Sequence, residues 1–138
     1  MEELDRFVAR DAFARHLGVE MLACGDGYAK ATMKVEAHHL NSAGILHGGA
    51  VFSLADAAFA AASNSHGTLA VAINVAISFF TAVRSGTLIA EVREVAINPK
   101  LATYLMEVRD EAGILVAQLQ GTVYRKRETL AQVVGGGE

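Results

Sequence analysis

Residues 41–60 read NSAGILHGGAVFSLADAAFA, and the fold is decided within this stretch. From residue 50 to residue 63 the chain is rich in Ala and apolar on nearly every side. Ala is the strongest helix former, and a helix that is apolar all round is buried. The pattern therefore predicts a buried helix that begins near Gly48 or Gly49 and ends at SNSHG, residues 63–67.

The segments around this helix have the patterns of β-strands. Residues 28–36 alternate strictly between apolar and polar side chains, which indicates a strand with one solvated face. After the helix, residues 69–83, 87–97, 102–111 and 114–127 are rich in β-branched and aromatic residues and are separated by turns. We predict an α+β fold in which an antiparallel sheet wraps one long central helix. Because one sheet cannot cover every side of an apolar helix, a second subunit is expected to cover the rest.

The two ends of the chain have weaker patterns. Residues 3–17 carry apolar side chains at helical spacing, which predicts a short amphipathic helix that stops at Gly18. The tail, residues 131–138, is Gly-rich and is predicted to be frayed. No linker or repeat divides the sequence, so residues 1–138 are predicted to form a single domain.

Composition narrows the possible classes of protein. The chain is 52% hydrophobic and 20% charged, with a formal net charge of −3. The high apolar content excludes disorder and suits a chain that has a subunit interface or binds an apolar ligand. Clustered basic residues are missing, so nucleic-acid binding is not expected. The apolar run 50–62 is too short to span a membrane. One cysteine, Cys24, and an N-terminus without an apolar signal segment predict a cytoplasmic protein.

The His-Gly-Gly triplet before the helix is a candidate oxyanion site. The first amides of a helix have no partner within the helix, and the helix dipole adds partial positive charge there. Glycine lets a ligand approach these amides closely. The simpler alternative is that Gly48 and Gly49 only form a tight turn.

Asp56 is the second candidate, because it is a lone carboxylate within the apolar run. Burial disfavours the charged form of a carboxylate and so makes it a useful base. Gly49 and Asp56 are separated by about 10 Å along a helix, which is too far for one carbonyl to contact both in one subunit. Across a symmetric dimer Asp56 can face the other His-Gly-Gly. The structural alternative for Asp56 is a hydrogen bond to Ser53. Asn41 is a further candidate, either as a hydrogen-bond donor near the site or as a loop cap.

Other chemistries lack their motifs. None of the histidines forms a metal-binding pair such as HxxxH, and neither a GxSxG elbow nor a glycine-rich nucleotide loop is present. We therefore expect no metal and no nucleotide cofactor.

Residues 39–60, HLNSAGILHGGAVFSLADAAFA, resemble the signature of the hotdog-fold acyl-CoA thioesterases, most strongly the phenylacetate-pathway (PaaI-type) branch. The helix-ending SNSHG and the last strand, VAQLQGTVYR, extend the resemblance over about residues 10–127. It implies a curved sheet around a long helix, a dimer with one continuous sheet and two active sites at its interface, and assembly into tetramers. It also implies that coenzyme A is part of the substrate and that no cofactor is required.

The resemblance also implies roles for individual residues. The amide of Gly49 binds the thioester oxygen, Gly48 and His47 shape that corner, and Asn41 lies near the carbonyl or the water. Asp56 of the partner subunit is the nucleophile or the general base. Three weaker matches remain: Arg84 and Lys100 for the phosphates of CoA, where a solvated charge is the alternative, and Asn74 for positioning the water.

The expected activity is hydrolysis of an aryl- or arylacetyl-CoA to the free acid and CoA. The alternatives are hydrolysis of medium-chain acyl-CoA and a non-catalytic acyl-CoA binding protein of the same fold.

Overall fold

The computed structural model describes residues 2–135. The elements in chain order are α1 (Glu2–Ala9), α2 (Ala12–Leu17), β1 (Glu20–Gly25), β2 (Tyr28–Lys34), a 3₁₀ turn (Ala37–His39), α3 (Gly48–Asn64), β3 (Thr68–Phe79), β4 (Thr87–Ile97), β5 (Leu101–Arg109), β6 (Leu115–Thr129) and α4 (Leu130–Gly135).

The strands form one antiparallel sheet in the order β1-β2-β4-β5-β6-β3. The predicted α+β arrangement is confirmed: α3 packs against this sheet, and its bounds agree with the predicted start at Gly48 and end within SNSHG. Two strands precede α3 and four follow it. β1 and β3 are the edge strands.

The core lies between α3 and the sheet. Leu54 and Phe59 of α3 are fully buried against side chains from the strands, and the Phe59 ring meets Tyr104 edge-on with ring centroids 5.6 Å apart. A Cβ at Gly121 would lie 2.7 Å from both Phe59 and Met106. Glycine at this position of β6 therefore makes the space that the Phe59 ring fills.

One face of α3 is left uncovered by the sheet. Gly49 and Asp56 are exposed on the single chain, and Phe52, Ser53 and Ala60 are half-buried. These residues recur at the spacing of one helical face. The prediction of a buried helix is confirmed for the other faces, whereas Asp56 is not enclosed by apolar side chains within one chain.

The predicted helix over residues 3–17 is instead two helices. The first ends at Ala9, and Asp11 caps the second, because its carboxylate accepts a hydrogen bond from the amide of Ala14 at 3.0 Å. Side chains of this kind favour caps over helix interiors because they compete for backbone hydrogen bonds. The predicted stop at Gly18 is confirmed, with this residue in the left-handed conformation at φ 82°.

The prediction of a frayed tail is wrong for residues 131–135, which belong to α4. Leu130 and Val134 bury their side chains, and Arg10 donates to the carbonyl of Val133 at 2.8 Å. Long-range packing thus outweighs weak local propensity. Residues 136–138 of the predicted tail lie outside the described part of the chain.

Candidate active site

The N-terminus of α3 is held in place by backbone hydrogen bonds to two other segments. The amide of Leu46 donates to the carbonyl of Val83 at 2.7 Å, and the amide of His47 donates to the carbonyl of His39 at 2.8 Å. His47 is the N-cap residue, with extended φ and ψ of −61° and 135°. The His-Gly-Gly triplet is therefore fixed between the 3₁₀ turn and the segment that follows β3.

The Gly49 amide donates to Nδ1 of His47 at 2.8 Å. A Cβ at Gly49 would lie 3.0 Å from this nitrogen, so the imidazole is folded over the glycine. Nδ1 is the acceptor here, which assigns the ring proton of a neutral His47 to Nε2. The amide that was predicted to bind the thioester oxygen is thus hydrogen-bonded to an exposed side chain.

Two cavities lie on either side of this helix start. The first, which we name the β3 cavity, has a volume of about 350 Å³ and is walled by Asn41, Gly48 and the segment 79–83 that leaves β3. The ring of Phe79 lies 3.1 Å from where a Cβ at Gly48 would sit, so a larger residue at this position would require the exposed ring to move.

The second, which we name the α2 cavity, has a volume of about 300 Å³. Its walls are Phe13 and Leu17 of α2, the segment 38–40, and the first turns of α3 with Gly49 and Ser53. Both cavities therefore reach the His-Gly-Gly triplet, which forms the boundary between them.

Asp56 lies two turns beyond Gly49 on the same exposed face of α3. Desolvation by the surrounding protein raises its pKa, and repulsion from the carboxylate of Asp11 raises it further, although the residue reaches the surface of the single chain. Ser53 donates to the carbonyl of Gly49 at 2.7 Å. The alternative in which Ser53 holds Asp56 by a hydrogen bond is therefore not what the structure contains.

Asn41 caps its own loop. Its Oδ1 accepts from the amides of Ala43 at 2.9 Å and Ile45 at 3.3 Å, which is the loop-cap alternative. The residue also lines the β3 cavity. Because the oxygen is occupied by the loop, donation to a ligand would come from Nδ2.

The three predicted substrate-binding residues lie in different places. Arg84 is exposed and follows Val83, the last residue of segment 79–83 in the wall of the β3 cavity. Asn74 is exposed on the edge strand β3. Lys100 lies in the turn between β4 and β5. The start of β4 is close to Val83, whereas this turn follows the end of β4, about 35 Å away along the strand. One chain therefore brings Arg84, but not Lys100, to the end of the fold that holds Gly49.

Sequence reasoning missed Asp11 and Phe13. Asp11 acts on the pKa of Asp56, and Phe13 forms a wall of the α2 cavity. The available signal was the run DAFARHL, in which an Asp precedes a short helical pattern and marks a separate helix start. What that helix packs against is not encoded in such a short segment.

Among residues 2–135, no group of three or more His, Cys, Asp or Glu side chains could hold a metal ion. In the same range no helix is long and apolar enough to cross a bilayer.

Comparison with known proteins identifies the class. Residues 43–117 match the Thioesterase superfamily, which is more than half of the chain, and the chain belongs to this superfamily. The six-stranded antiparallel sheet around α3 is the hotdog fold, and the protein is a thioester hydrolase.

The relatives narrow the class to the PaaI type. An Archaeoglobus fulgidus protein named "Putative esterase" is 49% identical over 90% of this chain and 81% of that one. The acyl-coenzyme A thioesterase PaaI of Escherichia coli is 36% identical over 83% of each chain.

Solved structures agree with these sequence relatives. The structure of Escherichia coli PaaI superposes with a TM-score of 0.89 at 33% identity, over 93% of this chain and 94% of that one. A mutant of the phenylacetic acid degradation protein PaaI from Thermus thermophilus superposes at 0.81 with 39% identity, over 84% and 100% of the two chains. The resemblance to PaaI-type thioesterases is confirmed.

Proposed function

We propose that this protein hydrolyses the thioester of an aryl- or arylacetyl-CoA to the free acid and CoA. The observation that carries the proposal is the helix face with Gly49 at its start and Asp56 two turns later, beside two cavities that lie on either side of the His-Gly-Gly triplet. The names of the relatives, which include an acyl-coenzyme A thioesterase and a phenylacetic acid degradation protein, support the substrate class.

The proposed active unit is a homodimer, which pairs further into a homotetramer. Gly49 and Asp56 of one chain are about 10 Å apart along the helix axis, so they do not meet at one carbonyl. β3 is an edge strand with the exposed side chains Val71 and Ile73, and it lies beside the uncovered face of α3. A second copy that continues the sheet at β3 would cover this face and bring Asp56 of the partner subunit to Gly49.

The proposed reaction uses the Gly49 amide, Asp56 of the partner subunit and a water molecule. The thioester oxygen displaces the His47 imidazole and accepts the hydrogen bond of the Gly49 amide. Asp56 of the partner subunit either removes a proton from the attacking water or attacks the carbonyl carbon itself, and the amide stabilises the resulting oxyanion. Collapse of the intermediate breaks the carbon–sulfur bond and expels the CoA thiolate, and in the second route water then hydrolyses the acyl-aspartate. One amide of this kind typically contributes about 2.7–4 kcal/mol to transition-state stabilisation.

The remaining groups fit a CoA thioester substrate. Arg84, which is exposed and follows Val83 of the β3 cavity wall in the sequence, is available to a phosphate of CoA. Lys100 would reach the same nucleotide only from another subunit. The proposed mechanism uses no metal or organic cofactor, and the single cysteine supports a cytoplasmic location.

The test is a thiol-release assay with phenylacetyl-CoA, a ring-hydroxylated phenylacetyl-CoA, benzoyl-CoA and octanoyl-CoA. We expect wild type to release CoA fastest from the aryl substrates and Asp56→Asn to lose at least 100-fold in kcat, because the base or nucleophile is removed. Asp5→Asn, which removes an exposed carboxylate from α1, is the matched control and should keep full activity. Faster release from octanoyl-CoA would favour the medium-chain alternative, and binding without any release would favour the acyl-CoA binding protein.

A further inference from the structure

The two cavities on either side of the His-Gly-Gly triplet differ in what they reach. The α2 cavity includes Gly49 itself, and its wall combines the apolar side chains of Phe13 and Leu17 with three histidines. The β3 cavity reaches Gly48, and its wall ends at Val83, which precedes the exposed Arg84 in the sequence. A thioester has one strongly anionic side, the CoA, and one apolar side, the acyl group. When its carbonyl oxygen is at Gly49, these two sides must leave in different directions.

We propose that the α2 cavity receives the acyl group and that Phe13 is the residue that selects an aromatic one. This inference rests on the proposed function and adds to it the direction of the substrate and a specificity-determining side chain. The β3 cavity, whose wall ends one residue before Arg84, then receives the CoA side.

Phe13 has an exposed aromatic side chain, which is available to contact a ligand. Its side chain is 63% exposed although it is a large aromatic ring, and it forms part of the wall of the α2 cavity. An exposed aromatic ring gains its apolar contact area only when something packs against it. The acyl group of a thioester held at Gly49 is positioned to be that group.

The helix that carries Phe13 is fixed at both ends. Asp11 caps its start through the amide of Ala14, and Gly18 ends it in the left-handed conformation. The ring of His39, 2% exposed, accepts from the amide of Glu36 through Nδ1 and so donates through Nε2 to the carbonyl of Leu17 at 2.9 Å. α2 is thereby attached to the same segment that fixes His47, so the distance between Phe13 and Gly49 is well defined.

The size of the cavity agrees with a small aromatic acyl group. A volume of about 300 Å³ is at the lower limit of the usual range for sites that enclose drug-sized ligands, about 300–1,000 Å³. An aryl ring with one methylene is small enough for such a space. Ring–ring contact with Phe13 favours the aryl substrate further.

The experiment compares two substitutions that remove an aromatic ring and keep an apolar side chain. Phe13→Leu changes the α2 cavity and Phe80→Leu changes the β3 cavity, where Phe80 is similarly exposed at 58%. For each full-length variant, kcat/KM is measured for phenylacetyl-CoA and octanoyl-CoA, and their ratio is the readout. Effects on CoA binding cancel in this ratio because both substrates carry the same CoA.

We expect Phe13→Leu to lower the ratio about 3- to 10-fold, as the loss of an aromatic pair predicts, and Phe80→Leu to leave the ratio unchanged. A change with Phe80→Leu alone would overturn the inference and assign the acyl group to the β3 cavity. An unchanged ratio in both variants would also overturn the inference. So would a Phe13→Leu variant in which only the sedimentation coefficient changes, because Phe13 would then be an interface residue. If wild type released thiol from none of the substrates, the proposed function itself would fail and this inference with it.

Discussion

At the residue scale, the charge next to Asp56 determines how it titrates. Burial is the larger cause of its raised pKa, and Asp11 of α2 is the second. Asp11 also caps α2, so its charge and its structural role have to be separated. Asn serves equally well as an N-cap and carries no charge, which makes Asp11→Asn the appropriate substitution.

We predict that Asp11→Asn moves the acid limb of the pH dependence of kcat/KM to lower pH. Asp56 acts in its deprotonated form, so activity is lost as the pH falls through its pKa, and removing a neighbouring negative charge lowers that pKa. The measurement is the thiol-release rate across the pH range. Asp5→Asn should leave the limb where it is, and an unmoved limb in Asp11→Asn would show that the two carboxylates do not interact.

At the element scale, the fit of α3 into the sheet depends on single residues of the strands. Gly121 of β6 is the clearest case, because a side chain there has no space beside Phe59 and Met106. Both neighbours are fully buried, so they can yield only by displacing the rest of the core.

We predict that Gly121→Ala lowers the free energy of unfolding by about 1–3 kcal/mol through overpacking. Phe59→Leu shortens the side chain that the new methyl group meets, so the double variant should be destabilised by less than the sum of the single variants. Urea denaturation of the four proteins measures this coupling. Strict additivity would mean that the methyl group is accommodated without contacting Phe59.

At the scale of the whole molecule, one polar cluster joins the end of α3 to the middle of the sheet. Glu94 of β4 accepts from the hydroxyl of Tyr104 at 2.8 Å and pairs with His66, which follows α3, at 2.6 Å. Burial opposes the ionisation of Glu94, but the hydrogen bonds from His66 and Tyr104 outweigh it, and the net pKa is lowered from 4.5. Tyr104 itself is fully buried, and burial raises its pKa, so it remains a donor.

We predict that Glu94→Gln costs about 1–2 kcal/mol of stability at neutral pH, since charged hydrogen bonds are stronger than neutral ones. A carboxylate with a lowered pKa contributes its full stabilisation above its unfolded value and loses it as the pH falls through the lowered pKa. The difference in unfolding free energy between wild type and variant should therefore shrink as the pH falls below about 4.5. Urea titrations at several pH values test this, and a difference that is constant with pH would contradict it.

The assembly is the other property of the whole molecule. We predict that Ile73→Lys on the edge strand β3 prevents dimer formation and abolishes thiol release, because Asp56 of the partner subunit is lost from the site. A lysine on an edge strand opposes pairing with another strand. Val95→Lys is the matched control, since both side chains are 58% exposed but Val95 lies on β4, away from this edge. Sedimentation velocity and activity are measured together, and an active Ile73→Lys monomer would contradict the proposed shared site.

The sequence by itself determined the elements whose signals are local. The Ala-rich run predicted α3 and its start at Gly48, and the β-branched runs predicted the four strands that follow it, because propensity and periodicity act within about a dozen residues. The same stretch carried the family signature, so the class of protein was also within reach. The helix start at Asp11 and the helix end at Gly18 also had recognisable local signals, although the prediction of one helix over residues 3–17 did not take the start at Asp11 into account.

Only the tertiary structure decided which distant residues meet. α4 forms because Leu130 and Val134 find a buried surface, and Lys100 is separated from the site because β4 runs the full length of the sheet. The approach of Asp11 to Asp56 and the place of Phe13 beside Gly49 likewise depend on how separate elements pack. Such contacts join residues that are far apart along the chain, and their free energy is gained only when the whole fold has closed the loops between them.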